Sequence, residues 1–236
     1  MSVEPIPDPP WRSEPRPKPA ARPPLTRETV VEAALRVLDR DRLAALSMRR
    51  VADELDVTAA SLYVHVRSKD DLLELVLDRV LGEIEVPEPD PPRCGDQLKE
   101  FARNMRRALE RHPDVASLAA GLFPHGPYAV QMMERLLRIF DAAGLDARMK
   151  AYAAWLLLRY VNAVALDDIR GLPAPGTAGK SPEEVVGMIS GYFSSLPGDR
   201  FPHVVELGRT LQEPDLREAR FEFGLDLIVD RITSRA

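Results

Sequence analysis

From Leu25 to the C-terminus the apolar residues of this chain recur at intervals of three and four, and almost nowhere at every second position. That spacing lines one face of an α-helix and gives a half-buried strand no alternating face. Such a chain is committed to an all-α fold in which helices bury their stripes against one another. The ends of the helices are written in capping residues. Thr26 can cap a first helix that carries Val30, Ala33, Ala34, Val37 and Leu38 on one face. Ser47 can cap a second, short helix with Val51, Ala52 and Leu55 turned inward, and residues 55–58 form a tight connection to a third at 59–65. Ser68, with Asp71 three positions later, opens a fourth in the manner of a capping box, followed by Leu72, Leu73, Val76, Leu77 and Val80.

Prolines punctuate the rest. Residues 1–24 hold nine of the 22 prolines together with Arg12, Arg16, Lys18 and Arg22, which predicts a disordered, basic arm. Pro87, Pro89, Pro91 and Pro92 end the fourth helix and mark a boundary near 85/86. Beyond it the spacing predicts helices at 95–111, 114–122, 126–143 and 147–170, with Gly144 as a stop. A Gly/Pro-rich loop at 171–180 follows, then helices at 182–195, 201–211 and 215–234, the first opened by Ser181-Pro182-Glu183-Glu184. The organisation expected is an arm (1–24), a small helical domain (25–85) and a larger one (86–236).

Composition narrows the function. No run of about 18 uncharged apolar residues is present and no basic-then-apolar leader opens the chain, so neither a membrane span nor a secretion signal is expected. Cys94 is the lone cysteine, which fits a cytoplasmic setting. The net charge is −5, yet residues 1–69 carry 12 basic and 10 acidic residues against 20 and 27 in the remainder. A positive head on an acidic body is compatible with DNA docking through one end. His112, His125 and His203 are not accompanied by a phosphate loop, metal-ligand spacing or nucleophile elbow, so no enzyme, cofactor or metal is expected.

The informative segment is 47–73. Two short helices joined by a tight turn cannot each bury a face alone; they cross and share Val51, Ala52, Leu55, Val57 and Leu62 as a small core. That is helix-turn-helix geometry, with the second helix entering the major groove. The run Met48-Arg49-Arg50-Val51-Ala52, Leu55-Asp56-Val57, Ser61-Leu62-Tyr63-Val64-His65-Val66 and Lys69-Asp70-Asp71-Leu72-Leu73 resembles the DNA-binding domain of the tetracycline-repressor (TetR) family. Asp56 stands where that family usually has glycine, and Asp tolerates a left-handed turn. The resemblance implies that Arg49, Thr58, Ala59, Ala60, Ser61, Tyr63, His65 and Lys69 face DNA. Arg49 then reads guanine, Thr58 and Ser61 donate to phosphate or base edge, and the two alanines meet thymine methyls. Tyr63, His65 and Lys69 clamp phosphates. The recognition helix carries no Arg, Lys, Gln or Asn. With the acidic net charge, this keeps open a second reading as a helical interaction protein that does not bind DNA.

The resemblance extends to residues 86–236 as a regulatory and dimerisation domain. It implies a repressor released from a two-fold symmetric operator by a small-molecule effector. The homodimer is expected through the helices near 147–170 and 215–234, both rich in apolar residues. The helix at 147–170 is apolar nearly all round and is expected to be buried on several sides. The effector pocket is expected to draw on His112, Phe123, His125, Met132, Met133, Leu136, Phe140, Trp155, Arg159 and Asn162. Arg159 and Asn162 are the sharper pair, because polar groups on a buried helix need partners.

Overall fold

The computed structural model describes residues 24–121, 124–170, 179–213 and 215–234. The expected arm (all but Pro24), Phe123 and the greater part of the expected 171–180 loop lie outside the described residues. Among the described residues there is no strand, and no helix is long and apolar enough to cross a membrane.

Four helices make the N-terminal unit: α1 (Arg27–Asp41), α2 (Met48–Leu55), α3 (Ala59–Leu62) and α4 (Lys69–Leu81). Thr26 caps α1, with Thr29 rather than an acidic residue returning the second bond. The Ser47 hydroxyl accepts from the Arg50 amide at 3.2 Å and starts α2. α2 ends on Asp56 in the left-handed region, φ 53° and ψ 47°, so this residue supplies the turn that glycine would otherwise make. The Val57 amide then reaches back to the Ala52 carbonyl at 3.0 Å, which draws the chain across to α3. The third helix is shorter than the 59–65 expected. His65 and Val66 amides both close onto the Leu62 carbonyl, at 2.9 and 3.0 Å, and a turn replaces the last residues. Ser68 caps α4 through the Asp71 amide at 3.0 Å, but the Asp71 carboxylate turns to the Arg67 amide at 2.7 Å, one residue upstream of the reciprocal partner expected.

The C-terminal unit comprises α5 (Cys94–Arg111), α6 (Pro113–Gly121), α7 (Pro127–Ala142), α8 (Ala147–Arg170), α9 (Pro182–Ser194), α10 (Pro202–Thr210) and α11 (Leu216–Thr233). Gly144, at φ 79°, turns the chain out of α7. α5 is the central element, packing against α4, α6, α7, α8 and α11. Leu98, Phe101, Ala102, Ala108 and Leu109 of α5 are wholly buried. α9 and α10 pair chiefly with each other. Arg106 ties three helices together. Its guanidinium lies 3.1 Å from Asp168 on α8 and 2.7 Å from Glu218 on α11, and 4.5 Å over the Phe221 ring. The expected boundary at 85/86 falls between α4 and α5, yet one continuous core runs across it from Val30 to Ile232. The two units therefore share one core.

In the single chain the 147–170 helix is buried along one side. Ala153, Ala154, Leu157, Val161, Val164 and Ala165 are buried in the single chain, but Tyr152, Trp155 and Leu156 are 55%, 65% and 45% exposed. Among the described residues, nothing covers the opposite side of α8.

Candidate nucleic-acid interface and apolar cavity

The N-terminal unit presents one outer face made by the starts of α2 and α4 and by α3. Leu62, wholly buried, is the bolt that holds the four-residue α3 on α1 and α2. Around it Arg49, Thr58, Ala60 and Tyr63 are exposed, and Ser61, His65 and Lys69 are half-buried. Thr58 and Ser61 share a hydroxyl–hydroxyl bond at 2.8 Å, which aligns both at the helix start. Ala59 leans onto the core instead of outward, so the exposed methyl on this face is that of Ala60.

The structure gives the two adjacent arginines, Arg49 and Arg50, different surroundings. Arg50 is committed to Asp41, with Nη2 at 2.9 Å and Nε at 3.0 Å from one carboxylate oxygen. Hydrogen bonds from Arg40, then Arg50, hold the Asp41 carboxyl below the usual range, and bonds from Arg40 and Arg36 do the same for Glu54. Arg49 and Lys69 have no ion-pair partner among the described residues and project their charge outward. The Arg67 amide and guanidinium keep Asp71 ionised below its ordinary range. That carboxylate is therefore neutralised locally rather than opposing an approaching anion.

Behind this face lies a joint. Asp78 is 6% exposed among the buried Val76, Leu77, Val80 and Leu81 of α4. Its carboxylate accepts from the Tyr128 and Ala129 amides at 3.3 and 2.8 Å, capping α7 from a different helix. A Cβ on Gly126 would sit 2.2 Å from the Asp78 carboxyl carbon, so the approach requires glycine there. A second set of bonds joins the units on the other side. His112 Nδ1 lies 2.9 Å from Asp39 and its Nε2 3.4 Å from Glu83, while the Leu43 amide donates to Asp114 at 2.8 Å.

Between α7 and α8 opens a cavity of about 860 Å³. Its floor is Leu81, Met105, Met132, Ala154 and Asn162, all buried; Ala151, Trp155 and Arg159 stand exposed at its mouth. Of the expected pocket residues, Met132, Met133, Trp155, Arg159 and Asn162 line it. Four do not. Leu136 and Phe140 are wholly buried on the inner side of α7. His112 is spent at the α1–α4 joint, and His125 lines a separate cleft of about 330 Å³ shared with Tyr63, His65 and Asp78. Sequence reasoning missed Ala147, Ala151 and Ala154, whose small side chains at helical spacing leave the slot open. The rim charges it also missed pair with each other, Arg138 with Glu134 at 3.1 Å and Lys150 with Asp141 at 2.5 Å.

The comparisons with known proteins agree with this layout. A family model described as "Bacterial regulatory proteins, tetR family" matches residues 30–76, and the "Tetracyclin repressor-like, C-terminal domain" model matches 87–235. An HTH-type transcriptional regulator of Saccharopolyspora erythraea is 42% identical over 123 residues, a match spanning 52% of each chain. The HTH-type transcriptional repressor DrrR1 of Streptomyces coeruleorubidus is 32% identical over 93% of this chain and 82% of its own. The solved structure of the Streptomyces coelicolor TetR family protein ActR in complex with actinorhodin is similar at a TM-score of 0.80. It is 41% identical, over 91% of this chain and 99% of that one.

Proposed function

Because the chain belongs to the TetR family of bacterial regulatory proteins, we propose that it is a dimeric DNA-binding repressor whose operator affinity is set by a small molecule in the α7–α8 cavity. It acts as a regulator rather than an enzyme, in the cytoplasm where its operator is. The observation that carries this reading is the pairing of an outward face bearing Arg49, Tyr63 and Lys69 with a joint, Asp78, that fastens α4 to the cavity wall α7. Arg49 reads a base edge, Thr58, Ala59, Ala60 and Ser61 meet the major groove, with Ala60 the more open of the alanines, and Tyr63, His65 and Lys69 fix the register on phosphates. An effector that wedges α7 from α8 shifts the α4 cap, and so favours a recognition-helix spacing that no longer fits the operator.

Dimerisation follows from the open faces. Tyr152 and Leu156 on α8, with Phe223 and Leu227 on α11, are 55%, 45%, 67% and 59% exposed. Apolar side chains of this size on two adjacent helices fit a two-fold interface in which a partner copy repeats them. The two recognition helices then lie one DNA turn apart. ActR, which is similar over nearly its whole length, takes actinorhodin, and DrrR1 is a repressor; the same roles are assigned here by that likeness.

A genome-fragment binding selection with the purified protein tests the reading. Enrichment of a two-fold symmetric site, lost with Tyr63→Ala, is the expected result. No enrichment at low and moderate salt would leave the interaction-protein reading in its place. We propose that the four basic residues of the arm at 1–24 reach the DNA backbone, against the reading of the arm as a plain tail. Substituting Arg12, Arg16, Lys18 and Arg22 together should flatten the dependence of log K on log salt by about 0.9 for each phosphate the arm no longer neutralises. An unchanged slope places the arm off the DNA.

A further inference from the structure

Asn162 projects from α8 into the floor of the cavity, one helical turn deeper than Arg159. It is 6% exposed, and its side-chain carbonyl oxygen is buried without a hydrogen-bond donor. A buried acceptor left unpaired destabilises the fold, and nearly all such groups in folded proteins are satisfied. Among the described residues the walls around it supply no donor: Met105, Met132, Ala154 and Leu158 are apolar. The rim charges pair with each other, and among the described residues Arg159 Nη1 reaches the Ala120 carbonyl at 3.5 Å. Among the described residues, the Asn162 carbonyl oxygen is therefore a buried acceptor on the cavity floor without a donor.

Resting on the assignment of this cavity as the effector site, we propose that Asn162 selects effectors with an apolar, ring-bearing body that carries a neutral hydroxyl donor at its buried end. The slot suits such a body. Its alanines at 147, 151 and 154 leave flat space, and Met132, Met133 and Trp155 offer sulfur and ring faces to an aromatic system. A ligand hydroxyl donates to the Asn162 carbonyl, whereas a methyl ether at the same place has no proton to give. Arg159 at the mouth then faces the other end of the molecule, where a carbonyl or anionic oxygen is accommodated.

The test uses equilibrium dialysis of full-length protein with hydroxyfluorene and with its methyl ether. Both are planar, apolar and neutral at pH 7. The native chain should bind the phenol about three- to tenfold more tightly than the ether, the size of one net hydrogen bond. Asn162→Leu, of similar volume and free of the unpaired oxygen, should keep or raise the melting temperature. It should bind both compounds with near-equal affinity, the loss falling on the phenol. Ala154→Leu, which fills the floor, should abolish binding of both. A phenol preference that survives Asn162→Leu while Ala154→Leu blocks both compounds overturns the role of Asn162 and leaves the cavity assignment standing. Undiminished binding to Ala154→Leu, or no binding of either compound to the native chain, overturns the cavity assignment and the selectivity with it.

Discussion

Replacing Asp78 with alanine should destabilise the folded chain by about 2–4 kcal/mol, because two charge-assisted bonds to the first amides of α7 are lost together. The Ala129 amide is buried, so water does not freely take over the acceptor's place. Urea unfolding reads the loss directly, as a lower midpoint at an unchanged slope. Amide exchange at Ala129 should also accelerate before global unfolding, since the joint opens locally. Asp78→Asn keeps one acceptor oxygen and should fall between the native chain and the alanine variant. A midpoint within error of native for Asp78→Ala would remove the joint from the mechanism proposed above.

Gly126 gives the same joint a second test from the other side. An alanine Cβ there would fall 2.2–2.5 Å from the Asp78 carboxyl atoms, so Gly126→Ala forces the carboxylate off its amides. The harm is steric and not conformational, because Gly126 has an ordinary φ of −72°. In the Asp78→Ala background the obstructing carboxylate is gone, and Gly126→Ala should cost little. The two substitutions should therefore be far from additive, as expected for groups in direct contact.

The contrast between Asp78 and the DNA face shows what a sequence of this kind reveals. The helices were legible because their ends are local events: Thr26, Ser47, Ser68 and Ser181 each bond an amide three residues on. The recognition segment was legible because Leu62, Tyr63 and Lys69 sit at fixed offsets along one stretch of chain. The cavity was legible only in part. Met132, Trp155 and Asn162 stood out as residue types, but which side of α7 faces α8 depends on packing between segments far apart in sequence. Leu136 and Phe140 share the apolar face of α7 and yet point into the core. His112 looked like a pocket group and is held by Asp39, 73 residues away. Asp78 did leave a trace, as a carboxylate among the apolar residues of α4, but its partner amides lie 50 and 51 residues downstream. Local rules name the polar intruder; only the assembled fold names what satisfies it.

Leu62→Ala and Tyr63→Ala, adjacent in sequence, should fail in opposite ways. Leu62 is wholly buried and is the only buried residue of α3. Truncating it opens a cavity under the recognition helix and should lower stability by about 2–5 kcal/mol. Operator binding then falls because α3 no longer holds its place, and the loss should shrink on cooling or on adding operator in excess. Tyr63 is 54% exposed and supports little of the core, so its alanine variant should unfold within about 0.5 kcal/mol of native. It should nonetheless lose about tenfold to a hundredfold in operator affinity, the scale of a hydroxyl bond to a charged phosphate. Salt separates Tyr63 from its neighbour in the same role. A phenol displaces no counterion, so the slope of log K against log salt should stay native in Tyr63→Ala. Lys69→Ala should flatten that slope by about one for each lysine in the complex. If Tyr63→Ala flattens the slope as Lys69→Ala does, the variant has displaced the whole phosphate-binding edge, and Tyr63 is a packing residue of that edge rather than a contact to DNA.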